Sequence, residues 1–449
     1  MMRNFTIVLM LLITAAVTGY SETLNLTADA AVALALENNL SLQSEAINLK
    51  IKERGKDTAW NSFVPSVSAS AGLSNSGTLF SDPAPVPPLY QDPTQRNWGV
   101  TGGLSASLPI NAALGTGIRQ LRIDYEAGLL SYDDARKKMD RDVRKSYYLL
   151  VATAADLELK KQNIEIAEKR YEQARENYNN GLISELEMLQ AQVTAENSKP
   201  NYFNQVTEYQ NSLMNFKLLL GVPSTTSLQL DEGMENMIFY SFDAMTLFEA
   251  YSANRLDVLQ INKTIESLRN TRKLQSEYNR TPTLSLSADW GTQVNDPFKG
   301  DSWKKDYWYD NASVGLYLTL PLDGYIPNSS TDVSLKDLDD QITQLELQRQ
   351  LVFDAAEIEI TNLVMTLENS IDTIETYSLN VDLAEKSFQL TTEAYNLGTR
   401  ELLDVETAQT ELLSAQQNVL YQKINYINRL LDLQYALNAE DIAEILEER

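Results

Sequence analysis

One short turn occurs twice in this chain, and its surroundings are duplicated with it. Tyr178-Asn179-Asn180-Gly181-Leu182 returns 217 residues later as Tyr395-Asn396-Leu397-Gly398-Thr399. Before the turn, Ile164, Ala167, Tyr171, Ala174 and Tyr178 align with Val381, Ala384, Phe388, Thr391 and Tyr395. The steps alternate between three and four, the seam of a coiled coil. After the turn, Leu186, Glu187, Ala191 and Gln192 align with Leu403, Asp404, Ala408 and Gln409. Register kept on both sides of a turn predicts two copies of one helical hairpin rather than one hairpin with a chance echo. Glycine tolerates positive φ, so each glycine can end one helix and let the chain reverse.

Charge and composition remove several function classes. The chain carries a net charge of −25 and has neither His nor Cys. Nucleic acid is disfavoured as a partner, because no basic stretch stands ready to neutralise phosphates. There is no thiolate nucleophile, no imidazole base and no usual zinc site, and the carboxylates lie along helices without a paired catalytic signature. No enzyme activity, cofactor or metal is expected. Disulfides are impossible, so compartment is read from the N-terminus instead. Arg3 precedes an apolar run from Phe5 to Val17, with Gly19 and Ser21 after it. This is a secretory signal pattern with cleavage after Ser21. An uncleaved anchor is the alternative, although the run is short of the roughly 20 apolar residues a spanning helix needs. No Cys is available for a lipoprotein anchor.

Past residue 21 the chain follows one cycle twice. A helical stretch from Thr27 to Phe63, interrupted at Asn38-Asn39, stops at Pro65. Strict alternation then predicts a strand at about 66–76, with Val67, Ala69, Ala71 and Leu73 on one face and serines opposite. A loop rich in proline (Pro83, Pro85, Pro87, Pro88, Pro93) leads to a second strand at about 97–108, closing at Pro109. One unbroken helical pattern runs from about Leu114 to Asn179, about 66 residues or roughly 100 Å at 1.5 Å per residue. A shorter helix returns from Ile183 to Leu220, with Pro200 expected to kink or break it. Residues 223–245 are a mixed linker, and the cycle restarts. Leu247 to Tyr278 is helical, and strands follow at about 283–294 and 311–320. Between them lies an aromatic loop with Trp303, Tyr307, Trp308 and Tyr309. A long helix runs from Thr331 to Asn396, a last helix ends near Leu437, and 438–449 form an acidic tail. The predicted division is therefore 1–21 signal peptide, 22–222 first repeat, 223–245 linker, 246–437 second repeat and 438–449 tail.

Each strand has the length a tilted strand needs to cross a bilayer. Four strands cannot close a membrane barrel, and an open edge in lipid leaves backbone groups unpaired. Completion by further copies of the chain is expected. Two water-exposed hairpins capping a helical rod are the alternative. The loop aromatics either form a girdle at the membrane–water interface or pack on a neighbouring loop.

The duplicated plan, the strand ends Leu108-Pro109 and Leu320-Pro321, and above all Tyr395-Asn396-Leu397-Gly398-Thr399-Arg400-Glu401-Leu402-Leu403-Asp404-Val405 carry a family resemblance. The chain resembles the outer-membrane efflux proteins of Gram-negative bacteria, the TolC-like exit ducts, over essentially its whole mature length. The resemblance implies an α+β membrane protein that assembles as a homotrimer. Its twelve-stranded outer-membrane β-barrel continues as a periplasmic α-helical barrel. It implies passive efflux of small molecules, with the tip turns at Gly181, Leu182, Gly398 and Thr399 meeting a periplasmic adaptor and an inner-membrane pump. Protein secretion through the same duct and a non-transporting envelope spacer remain as rivals. By the same resemblance, Tyr395 and Arg400 fall on a tip latch, Glu187 on the carboxylate that partners the tyrosine, and Asp404 on an acidic ring. Two positions depart from the pattern: Thr407 stands where a second ring carboxylate is expected, and Leu186 where a partner for Arg400 is expected. Each tip residue also reads as ordinary, the carboxylates as solvated and the tyrosine as seam packing.

Overall fold

The structure is a computed structural model. It describes residues 23–76, 97–231, 237–295, 297–298, 300–301 and 303–441. The expected signal segment, the prolines of the first loop and most of the acidic tail lie outside these residues. In chain order the elements are β1 (Thr23–Leu26), α1 (Ala28–Asn38), α2 (Leu40–Asp57), β2 (Ser66–Ser76), β3 (Asn97–Ile110), α3 (Ala113–Asn179) and α4 (Glu185–Leu220). Then come β4 (Ser227–Leu230), α5 (Ala244–Tyr251), α6 (Leu256–Arg280), β5 (Thr283–Asn295), β6 (Trp308–Thr319), α7 (Ser330–Asn396) and α8 (Leu402–Leu437). The offset of the two turns relates α3 to α7 and α4 to α8 residue for residue at both ends, at 67 and 36 residues each. No described helix is long and apolar enough to cross a membrane.

The residues fall into two compact units, each drawn from both repeats. One comprises Leu49–Leu129 and Ile261–Arg349 and holds a four-stranded antiparallel sheet in the order β2-β3-β5-β6. Its register aligns the period-2 patterns of all four strands. Val67, Ala106, Ala288 and Val314 lie side by side, as do Ala69, Leu104, Trp290 and Ala312. The other face presents Ser68, Ser105, Asp289 and Ser313, then Ser66, Ser107, Ser287 and Gly315. The apolar face is uncovered: Val314 is 79% exposed and Leu318 72%. Among the described residues, the outer edges of β2 and β6 have no partner strand.

The other unit comprises Met1–Asn48, Leu130–Gln260 and Gln350–Arg449. It contains two apolar cores related by the repeat. Val143, Leu150, Phe216 and Leu220 in the first correspond to Ile360, Leu367, Leu433 and Leu437 in the second, all buried. The cores differ where Tyr147 corresponds to Val364. The buried Tyr147 hydroxyl accepts from Asp231 N at 3.1 Å and lies 3.0 Å from Leu26 O and 2.9 Å from Asp231 O. It thereby ties together the ends of β1 and β4, which pair in parallel. Tyr147→Phe removes the hydroxyl that donates to Leu26 O and Asp231 O and leaves the bond from Asp231 N to Leu26 O, at 3.1 Å, to hold the strand ends alone. A loss of about 1–3 kcal/mol is expected, read as faster amide exchange confined first to 23–26 and 227–231. In the most cationic stretch, Arg136 to Lys145, Arg136, Arg141, Arg144 and Lys145 are paired with Asp29, Asp133, Asp140, Asp142 and Asp432.

Four sequence expectations need correction. The linker 223–245 contains β4, whose partner β1 was not anticipated. Pro200 does not break α4, which runs continuously through it. The proline is exposed, so the one missing backbone bond is met by solvent, and buried Ala191 and Ala195 hold the helix on its other side. Leu247–Tyr278 is not one helix but α5 and α6, separated at Ser252–Arg255. There Arg255 is buried and held by Asp257 at 2.8 Å and Glu359 at 2.7 Å, contacts that stabilise the break. The last strand begins at Trp308 rather than 311, which moves Trp308 and Tyr309 from the loop into the sheet.

Candidate functional site: the helix turns and the apolar sheet face

Both helix turns are built the same way. Gly181 and Gly398 adopt φ of 72° and 74°. At the first, Leu182 N donates to Asn177 O at 2.8 Å and Gly181 N to Tyr178 O at 2.8 Å. At the second, Thr399 N donates to Ala394 O at 3.0 Å and Gly398 N to Tyr395 O at 2.9 Å. This paired pattern satisfies the last carbonyls of a helix and needs a left-handed residue at its centre. The returning helices also start alike. Glu187 Oε2 accepts from Ser184 N at 3.0 Å, and Asp404 Oδ2 accepts from Glu401 N at 3.3 Å. The two candidate gate carboxylates are thus the third residues of their helices, where a negative charge also suits the helix dipole.

Around the turns, Tyr395 packs with Tyr171 and Ile183 against buried Ala174, Ala191 and Leu402. Burial holds its phenol above the ordinary tyrosine range, nearby Glu187 pushes the same way, and Arg170 opposes. Tyr395 and Glu187 are therefore neighbours in charge, but no hydrogen bond joins them among the described residues. Arg400, in the turn, pairs with Asp404 at 3.5 Å in the first turn of α8, with both side chains well exposed, a contact worth little by itself. Leu182 is 72% exposed and Leu397 81%, so each turn carries an apolar knob in solvent.

The sequence reading missed a polar node set back about two to four turns from the hairpin ends. Arg170 donates to Gln409 Oε1, and Gln409 Nε2 donates to Asn163 Oδ1, joining α3 to α8. The Arg170 guanidinium also lies 5.1 Å from the Phe388 ring centroid. Its burial depresses the guanidinium pKa, opposed by Glu406 and Tyr395. The available signal was Gln409 itself, a polar side chain within an apolar seam.

In the sheet, the sequence-singled aromatics meet at one end. Trp303 Nε1 donates to Pro297 O at 2.8 Å and its ring lies 5.7 Å from Trp308. Trp98 and Phe298 make an edge contact at 5.5 Å. Tyr307 and Tyr309 are exposed. A second aromatic set, not anticipated, precedes β2 and follows β6: Trp60 and Phe63, 5.4 Å apart, and Tyr325, all exposed.

Comparison with known proteins adds four findings. Outer membrane protein TolC of Salmonella enteritidis is 27% identical over 206 residues, 44% of this chain and 40% of that protein. Thus the chain matches well under two thirds of that relative. TolC of Vibrio cholerae is 21% identical over 318 residues, 68% of this chain and 69% of the relative. The Campylobacter jejuni CmeC outer membrane channel superposes with a TM-score of 0.73 at 19% identity, over 94% of this chain and 88% of CmeC. The profile of the family described as Outer membrane efflux protein matches residues 31–222 and 247–439, one segment in each repeat. With both repeats matched, the chain belongs to the outer membrane efflux protein family.

Proposed function

We propose that this chain is the passive outer-membrane exit duct of a tripartite efflux system, working as a homotrimer. The observation that carries the reading is the sheet: one continuous apolar face, one small polar face and two edges unpaired among the described residues. Apolar side chains facing lipid and small polar ones facing water are the pattern of a membrane barrel wall. The eleven residues of β2, at about 3.3 Å each and tilted about 45°, rise roughly 25 Å, the height of an apolar band flanked by aromatic girdles. Trp60, Phe63 and Tyr325 at one end and Trp303, Tyr307, Trp308 and Tyr309 at the other are those girdles.

Unpaired edges in lipid require closure. The β6 edge of one copy meets the β2 edge of the next, and three copies make twelve strands. The helical unit favours the same assembly. On α7, exposed Leu383 and Leu390 stand seven residues apart; on α4, exposed Leu186, Val193 and Met214 share one heptad position. Two different exposed seams on one chain make a head-to-tail contact, which closes as a ring.

The helix turns extend into the periplasm and dock a periplasmic adaptor through Gly181, Leu182, Gly398 and Thr399. Exposed Leu182 and Leu397 supply the apolar contact. Energy comes from an inner-membrane pump, since the chain has no phosphate-cradling loop. Glu187, Tyr395, Arg400 and Asp404, each present three times, form the tip gate. In the single chain Arg400 already has Asp404, so the latch requires it to exchange a weak exposed pair for contacts between copies.

Single-channel conductance of the purified protein in a planar bilayer tests this. A small, cation-selective conductance that rises severalfold in Arg400→Ala/Tyr395→Phe is expected. A conductance large in both proteins discards the latch and keeps the duct. A water-soluble monomer without conductance overturns the duct.

A further inference from the structure

The polar sheet face carries one charge. From Ser66 to Ser76, Asn97 to Pro109, Thr283 to Asn295 and Tyr309 to Thr319, every residue on that face is neutral except Asp289. Asp289 is the seventh of the thirteen residues of β5, hence at mid-strand. Its cross-strand neighbours are Ser105 and Ser313. It is exposed, and among the described residues no cation or hydrogen-bond donor engages its side chain. Nor is it inherited from the repeat, because the equivalent position in the first copy is Gly72. Tyr317, on the same face, lies over Gly315 of its own strand, as its ring would collide with a Cβ built there.

We propose that Asp289, repeated threefold, forms a cation-favouring ring at mid-height in the barrel. It is a charge filter separate from the helix tips, and it selects cationic and neutral cargo over anionic cargo. The inference rests on the reading of the sheet as one third of a barrel wall with its polar face inward. Twelve strands about 4.8 Å apart, tilted about 40°, enclose a Cα radius of about 12 Å. An aspartate reaching inward places its carboxylate roughly 8–9 Å from the axis. That distance is comparable with the ~8 Å Debye length at physiological salt, so the field reaches the path of a solute without full screening. A low-dielectric wall strengthens it, and the small serines and glycines around it offer no counter-charge.

The absence of native cysteine makes the test direct. Ser105→Cys places the only thiol beside Asp289. In trimers reconstituted in vesicles, its rates with a cationic and an anionic membrane-impermeant methanethiosulfonate are compared, approached from the barrel mouth. The cationic reagent is expected to react at least about threefold faster relative to the anionic one in Ser105→Cys than in Ser105→Cys/Asp289→Asn. Raising salt to 1 M should remove the difference. An equal rate ratio with and without Asp289 overturns the filter. Leu104→Cys separates this failure from failure of the barrel reading: on the apolar face it should stay unlabelled in lipid. Labelling of Leu104→Cys as fast as Ser105→Cys overturns the lipid-facing assignment and the filter with it.

Discussion

Gly221→Ala should destabilise the helical unit far more than Gly181→Ala or Gly398→Ala, although all three glycines have nearly the same backbone. Their φ values are 71°, 72° and 74°. Each ends a helix with the same paired hydrogen bonds, for Gly221 from its N–H to Leu218 O at 3.1 Å and from Val222 N to Lys217 O at 3.0 Å. Forcing alanine into that conformation costs about 1 kcal/mol. At Gly181 and Gly398 nothing lies within 4 Å of an added Cβ, so that is the whole cost. At Gly221 the new Cβ would collide with the Asn38 backbone carbonyl. That carbonyl belongs to the end of α1, where Asn39 Nδ2 donates to Leu219 O at 2.8 Å and Asn39 Oδ1 accepts from Ser41 N at 2.9 Å. Backbone cannot rotate away as a side chain can, so α1 must move off α4. A total loss of about 3–5 kcal/mol is expected. Chemical denaturation followed by far-ultraviolet circular dichroism checks it, and equal losses at all three glycines would refute the steric account.

The second large effect concerns the two sheet faces. Val314→Arg puts a guanidinium on the apolar face opposite Ala288, near the middle of the sheet. A charge facing lipid at the bilayer midplane costs about 2–4 kcal/mol. Three copies per barrel bring the cost of the assembly to about 6–12 kcal/mol. Ser287→Arg, one residue along β5 from Ala288 and on the polar face, should change barrel stability by less than about 1 kcal/mol. The measurements are the fraction of each variant recovered in the outer membrane and the urea midpoint for refolding into vesicles. Equal tolerance of the two arginines would remove the lipid-facing assignment and with it the membrane barrel.

The candidate tip was half legible in the sequence. The turns were, because a left-handed glycine between two seams leaves a local mark in each copy. What holds the two hairpins together was not. Arg170 and Asn163 look like ordinary surface polar residues until α3 and α8 lie side by side, and only Gln409, polar within an apolar seam, hinted at the contact. The roles of Glu187 and Asp404 were read through resemblance as gate charges. Their geometry adds a local duty in starting α4 and α8 that capping spacing could have indicated, Ser184 and Glu187 standing three apart. Any substitution at either residue therefore tests helix capping together with gating.

By itself the sequence determined what local periodicity can encode: the repeat, the ends of the 67-residue helices and the two-faced strands. Those features follow from spacings of two, three and four residues, which hold whatever surrounds them. Tertiary structure alone decided the β1–β4 pair, the break at Arg255 and the survival of α4 through Pro200. Leu24 and Leu26 make too short an alternation to announce a strand, and its partner lies near Leu228 and Leu230, some two hundred residues away. Arg255 can be buried in the break between α5 and α6 because Asp257 and Glu359 receive its charge. Such outcomes depend on which distant groups become neighbours, and no local pattern records that.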